Sequence, residues 1–201
     1  MRYQIEPLLP HQTARLQQAA QLLVSGFADY WPESWRDIES ALAEVAEATV
    51  PERLAFAAVA PDGQVLGWIG AIPEYRGRVF ELHPLVVHHD HRRLGIGRAL
   101  VEKIVLQASA LGGLTLWVGT DDEAYQTSLG GLDLYPDPLI HAARITNRGG
   151  HPIDFYRRLG FAVAGVLPDA NGFGKPDIFM ARRIGQSSAQ PPSTPDPPDP
   201  Q

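Results

Sequence analysis

Residues 80–113 read F-E-L-H-P-L-V-V-H-H-D-H-R-R-L-G-I-G-R-A-L-V-E-K-I-V-L-Q-A-S-A-L-G-G. As far as about His88 the stretch is apolar and rich in Val and Leu, which is strand composition. Residues 92–97, R-R-L-G-I-G, then form a basic turn carrying Gly95 and Gly97. From Gly97 onward, Leu100, Val101, Ile104, Ala108 and Leu111 recur at the spacing of one helix face. The order is strand, glycine turn, helix.

That order suits a phosphate. The first turn of a helix has amide N–H groups without intrahelical partners, and the macrodipole adds partial positive charge there. Glycines let an anion approach the main chain, and arginines supply full charges. Arg92, Arg93, Leu94, Gly95, Ile96, Gly97 and Arg98 are therefore the candidate pyrophosphate cradle. The turn is not G-x-x-x-x-G-K-[ST], which excludes a P-loop, and it lacks the first glycine of G-x-G-x-x-G. It matches [RQ]-x-x-G-x-[GA] at Arg92, Gly95 and Gly97. A tightly packed strand–helix connection gives the same hexapeptide; the flanking strand and amphipathic helix favour the phosphate.

The 201 residues suffice for one domain with its own core, and 44% are hydrophobic, as in ordinary globular proteins. No run is long and apolar enough to span a bilayer, and the first residues do not read as a signal peptide. There is no cysteine, so disulfides, thiolate metal sites and cysteine nucleophiles are excluded, in keeping with a cytoplasmic protein. The net charge of −6 argues against nucleic acid and suits a cationic substrate, although solubility alone accounts for it as well.

Along the chain, residues 1–9 read as a strand. Residues 11–27 read as a helix with Leu16, Ala19, Ala20, Leu23 and Phe27 on one stripe. Residues 30–35, Y-W-P-E-S-W, either cap the core or wall a pocket in which Trp31 stacks and Glu33 meets a cation. A second helix spans 37–49 with Ile38, Leu42 and Val45 inward. Residues 54–60 and 64–72 form a hairpin around Pro61-Asp62-Gly63. A strand at 114–120 ends in Asp121, Asp122 and Glu123. A short helix is read at 139–145, another between Pro152 and Gly160, and strands at 161–167 and 177–183. The domain is taken as 1–184. Residues 185–201, rich in Pro, Ser, Gln and Asp, read as a disordered tail. The run His88-His89-Asp90-His91 is not expected to hold a metal, because neighbours on a strand point to opposite faces.

Two motifs carry a resemblance: R-x-x-G-x-G at 92–97 and F-Y-x-x-L-G-F at 155–161. Together they resemble the GNAT acetyltransferase superfamily. Further stretches narrow it: G-A-I-P at 70–73, E-L-H-P-L-V-V at 81–87, G-T-D-D at 119–122 and D-L-Y at 133–135, with L-P-D-A-N-G at 167–172 and K-P-D-I at 175–178. In order and spacing, residues 22–183 are similar to the aminoglycoside 6′-N-acetyltransferases of the chromosomally encoded bacterial type, enzymes that confer antibiotic resistance. The resemblance implies an α/β (α+β) GNAT fold: a mixed, mostly antiparallel central sheet with helices on both faces. It also implies a V-shaped opening between the strand at Leu85 and the strand at Trp117. Acetyl-CoA is the implied co-substrate, its pantetheine arm pairing with the main chain of Leu85, Val86 and Val87. Acetyl passes directly to an amine in a ternary complex. A homodimer is implied on the same ground.

The family's matching residues give roles. Glu81 and His83 project on one strand face. Glu81 holds the substrate ammonium and helps to deprotonate it, since the attacking amine must be neutral. His83 and the Leu85 N–H polarise the thioester carbonyl. Tyr156, with an ordinary pKa of about 10, protonates the leaving thiolate. Trp31, Glu33, Glu81, Asp121, Asp122 and Asp177 make the acceptor side for a polycation. Two other readings stay open: acetylation of another polyamine or of a protein amine, and an idle acyl-CoA-binding protein, which would have no need of Tyr156 or Glu81.

Overall fold

Seven strands hydrogen-bond into one sheet. In chain order the elements are β1 (Gln4–Pro7), α1 (Thr13–Phe27), α2 (Ile38–Ala48), β2 (Leu54–Val59), β3 (Val65–Glu74), β4 (Val79–Val87), α3 (Ile96–Ala110), β5 (Thr115–Asp121), α4 (Pro138–Ala143), α5 (Ile153–Arg158), β6 (Ala162–Leu167) and β7 (Asp177–Arg183). The computed structural model describes residues 2–28 and 34–185. Trp31, Glu33 and the tail beyond Gly185 lie outside the described residues.

The strand order is β1-β2-β3-β4-β5-β7-β6, antiparallel except for the parallel β4–β5 pair. Helices cover both faces, as expected. α3 lays Leu100, Val101, Ile104 and Ala108 against Phe80, Leu82 and Leu116 on one face. α1 and α2 lay Leu23, Ala41 and Val45 against Trp68 and Val86 on the other. Trp68 is fully buried, and its indole N–H is satisfied by the Ala19 carbonyl at 3.0 Å. Asp37 caps α2, its carboxylate accepting from the Ser40 amide at 2.8 Å.

One irregularity shapes the active face. Ile69 opposes Leu85 and Ala71 opposes Leu82, so Gly70 alone faces His83 and Pro84. This bulge reverses which way the side chains of β4 point. Phe80 and Leu82 belong to the α3-side core, whereas Val86 belongs to the α1–α2 side and Leu85 and Val87 return to α3. A Cβ on Gly70 would lie 2.4 Å from the His83 carbonyl oxygen, so the bulge requires glycine there.

Some sequence expectations shift. Ile38 stays exposed; Ala41, Val45 and Ala48 carry the buried stripe of α2. Leu111 is exposed because α3 stops at Ala110 and Leu111 is its C-cap. His89–His91 form a 3-10 turn rather than strand, so alternation does not separate these side chains.

Candidate active site

The parallel β4–β5 ladder lasts three residues, from Val79–Thr115 to Glu81–Trp117. Beyond Glu81 the strands diverge and β4 has an open edge. The His88 N–H donates to the Leu66 carbonyl at 2.9 Å, on the β3 side. The Val87 carbonyl faces the opposite way, accepting from Arg92 Nε at 3.3 Å. Strand alternation therefore turns the N–H groups of Leu85 and Val87 toward the gap. This is the V-shaped split expected between Leu85 and Trp117. Val86, between them, turns its side chain under α1: a Cβ on Gly26 would stand 2.5 Å from its Cγ2. The split opens into a cleft of about 910 Å³ whose walls include Leu85, Arg92, Gly97, Val118 and Tyr156.

At one end of the cleft α3 begins. Gly95 is its N-cap, at φ +84°, and no side chain caps the helix. The amides of Ile96, Gly97 and Arg98 therefore have no acceptor within the helix. Among the described residues only the chain neighbours come within 4 Å of where a Gly95 Cβ would stand, and Gly97 packs closely on Phe155, where a Cβ would stand 3.3 Å from the ring. Arg92, Arg93 and Arg98 flank the turn and line the same cleft. Leu94 is exposed, and the Ile96 side chain is buried in the core, so Ile96 offers only its N–H. Free amides, three guanidinium groups and open space fit a pyrophosphate.

Across the sheet from α3 lies an acidic face. His83 Nε2 stands 3.6 Å from Glu44 Oε1 on α2, and its ring is 6.0 Å from that of Trp35. The hydrogen bond to Glu44 raises the pKa of His83 and holds that of Glu44 down. Burial raises the pKa of Glu81; nearby His83 opposes the shift and Glu74 adds to it. In the β5–β7 ladder Asp121 opposes Asp177. The Asp177 carboxylate lies 3.0 Å from where a Gly119 Cβ would be, and its Oδ1 is buried without a partner. Burial, then the neighbouring Asp121 charge, push its pKa up to about 6. Asp121 itself accepts a hydrogen bond from Asn171 Nδ2.

Asp122 is a correction. It was expected among the substrate carboxylates, yet it is fully buried. Its oxygens accept from the amides of Gln126 at 2.6 Å and Thr127 at 2.9 Å, and from the Thr127 hydroxyl at 2.7 Å. Adjacent residues at a strand end face opposite ways, so Asp121 lines the cleft beside Asp177 and Asp122 pins a loop.

Tyr156 reaches the cleft from α5, its ring held edge-on by Phe155 at 5.0 Å and Phe161 at 5.3 Å. Burial raises its pKa, so the phenol stays protonated. His151 sets the start of α5: its Nδ1 accepts from the Ile153 amide at 3.2 Å, and burial favours the neutral ring. Sequence reasoning missed Glu44 and His151. Glu44 meets His83 only through the packing of α2 on the sheet, which no local pattern signals. His151 stands beside Pro152 at a helix start, a position that could have marked it as a cap.

The acetyltransferase (GNAT) family matches residues 17–129. An aminoglycoside 6′-N-acetyltransferase solved with coenzyme A is 41% identical, with 90% of this chain and 97% of that one covered at a TM-score of 0.83. The aminoglycoside 6′-N-acetyltransferase from Enterococcus faecium is 39% identical over the same shares, at a TM-score of 0.80. A type Ii aminoglycoside 6′-acetyltransferase is 34% identical, at a TM-score of 0.67. A search of curated protein sequences gives no significant match.

Proposed function

The chain belongs to the acetyltransferase (GNAT) family, and we propose that it acetylates an amine of an aminoglycoside, at the 6′ position, using acetyl-CoA. One observation carries the reading: the arginine-flanked start of α3 and Asp121 line one cleft at the β4–β5 split, with Asp177 opposite Asp121 and Glu81 at the last parallel pair. The solved relatives, one with coenzyme A, act on aminoglycosides.

Bound acetyl-CoA supplies an acetyl thioester. The chain's own groups do the rest. The free amides of 96–98 and the nearby arginines hold the pyrophosphate. The Leu85 N–H, turned to the gap, donates to the thioester oxygen. Glu81, Asp121 and Asp177 hold the ammonium groups of a polycation, and Glu81 or Asp177, each with a raised pKa, accepts the proton that frees the amine. As the C–N bond forms and the C–S bond breaks, Tyr156 donates its phenol proton to the departing sulfur, and the second proton that nitrogen sheds as the amide forms passes through solvent to restore the phenol. The transfer moves no electrons between redox states and needs no metal. His83, expected to join the Leu85 N–H at the thioester, instead lies on the opposite side of β4 from Leu85 and pairs with Glu44, so its part is to set the charge of the acceptor face.

Among the described residues no helix is long and apolar enough to cross a membrane, and we place the enzyme in the cytoplasm, where acetyl-CoA is made. A homodimer rests on the family resemblance alone. A thiol-release assay across kanamycin, tobramycin, spermine and a basic peptide tests the reading. Turnover on the aminoglycosides far above the others is expected; turnover on spermine or peptide alone would overturn the substrate, and none at all would leave only acyl-CoA binding.

A further inference from the structure

The 3-10 turn at His89–His91 gathers side chains that a strand would have separated. Among the described residues, one ligand atom each from His88, His89 and Asp90 lies within 4.8 Å of the others. His89 Nε2 stands 3.1 Å from Asp90 Oδ1, and His88 Nδ1 stands 3.9 Å from Asp90 Oδ2. Around a tetrahedral ion with bonds of about 2.0–2.1 Å, ligand atoms sit about 3.3 Å apart, so the His89–Asp90 spacing already fits one ion and the His88 ring must rotate to join it. The Asp90 amide donates to His88 Nδ1 at 3.3 Å, so an ion takes that lone pair only by displacing this long hydrogen bond. The His88 ring stacks on His89 at 4.5 Å, so the two rings must turn out of the stack for their in-plane lone pairs to meet at one ion.

We propose that His88, His89 and Asp90 form a binding site for a divalent transition ion such as Zn²⁺ at the outer end of the phosphate turn. Two imidazoles and a carboxylate select the zinc, nickel and copper group over magnesium and calcium, which want oxygen ligands. Arg92 does not oppose the ion at close range, because its guanidinium turns away to the carbonyls of Val87 and Gly26. The ion ties together the three residues just before Arg92 and fixes the turn from which that arginine projects. Its role is structural and separate from acetyl transfer, so it does not depend on the acceptor assigned above.

The test uses the full chain, free of any histidine tag and stripped with a chelator, titrated with ZnCl₂ by calorimetry. One ion per chain with micromolar affinity is expected. His89→Ala and Asp90→Asn, both at exposed positions, each weaken it by about tenfold or more, and MgCl₂ gives no heat of binding. In NMR spectra the ring signals of His88 and His89 shift with zinc, and those of His11 do not. Wild-type zinc affinity in both variants, or no saturable binding to the unmodified chain, overturns the site.

Discussion

Asp177 faces Asp121 across the β5–β7 ladder, with one of its carboxylate oxygens buried and unpartnered. The folded protein therefore binds this proton more tightly than the unfolded chain, and its pKa rises from 3.8 to about 6. For a carboxyl raised on folding, stability is lost as pH climbs through that window. Asp177→Asn is expected to stabilise the protein by about 1–3 kcal/mol at pH 8 and not at pH 4. The same change should lower kcat/KM for the amine and remove a limb near pH 6 from its pH profile. Denaturant unfolding at both pH values, with steady-state kinetics, checks both; a loss of stability at pH 8 would contradict the buried, repelled carboxylate.

Glu44 and His83 give the opposite sign. Glu44 titrates below 4.5 and His83 above 6.5, so both are charged throughout the interval between. The pair's contribution disappears as pH rises through the pKa of His83 or falls through that of Glu44. Because the His83 side chain is 42% exposed, the pair contributes no more than about 1 kcal/mol. Glu44→Gln should cost that much near pH 5.5 and progressively less as pH rises through the pKa of His83, and should lower the His83 pKa in an NMR titration. An unmoved His83 pKa would remove the pairing.

Tyr156→Phe keeps the ring packed between Phe155 and Phe161. Thermal stability and coenzyme A affinity should hold, while the acetyl-transfer step slows by about 10²- to 10⁴-fold. Single-turnover rates at saturating acetyl-CoA decide it. A wild-type rate takes the acid role from Tyr156.

Gly95 has φ +84° and open space around it. Gly95→Asn is expected to weaken coenzyme A modestly, since asparagine tolerates that backbone. Gly95→Asp, nearly the same shape with a negative charge, should weaken it by about a further tenfold or more. Calorimetry on the two variants separates charge from shape, and equal affinities would place the pyrophosphate elsewhere.

Neighbouring aspartates should behave differently. Asp122→Asn puts amide hydrogens toward the donors of Gln126 and Thr127 and is expected to cost about 1–3 kcal/mol of stability. Asp121→Asn should not destabilise the protein, because it relieves the repulsion on Asp177, and should raise the KM for the aminoglycoside. Chemical denaturation and amine saturation curves on both variants test the contrast; equal destabilisation would mean that Asp121 is also structural.

What the sequence determined by itself was whatever is local. Residues 80–113 specified strand, glycine turn and α3 because strand composition, glycine placement and helical periodicity act over a few residues. The short helix α5 was legible from Pro152 and Gly160, and β5 and β7 from their apolar runs. Only the tertiary structure decided how these pieces face one another. The bulge at Gly70 reversed the facing of β4, placing His83 and Leu85 on opposite sides although they stand two residues apart. Packing of α2 on the sheet brought Glu44 to His83. The two residues of Asp121-Asp122 look equivalent in the sequence, yet the strand end turned one toward the acceptor face and buried the other. Local patterns record backbone preference and burial, whereas the partner of a charged side chain is set by contacts between residues far apart in the chain.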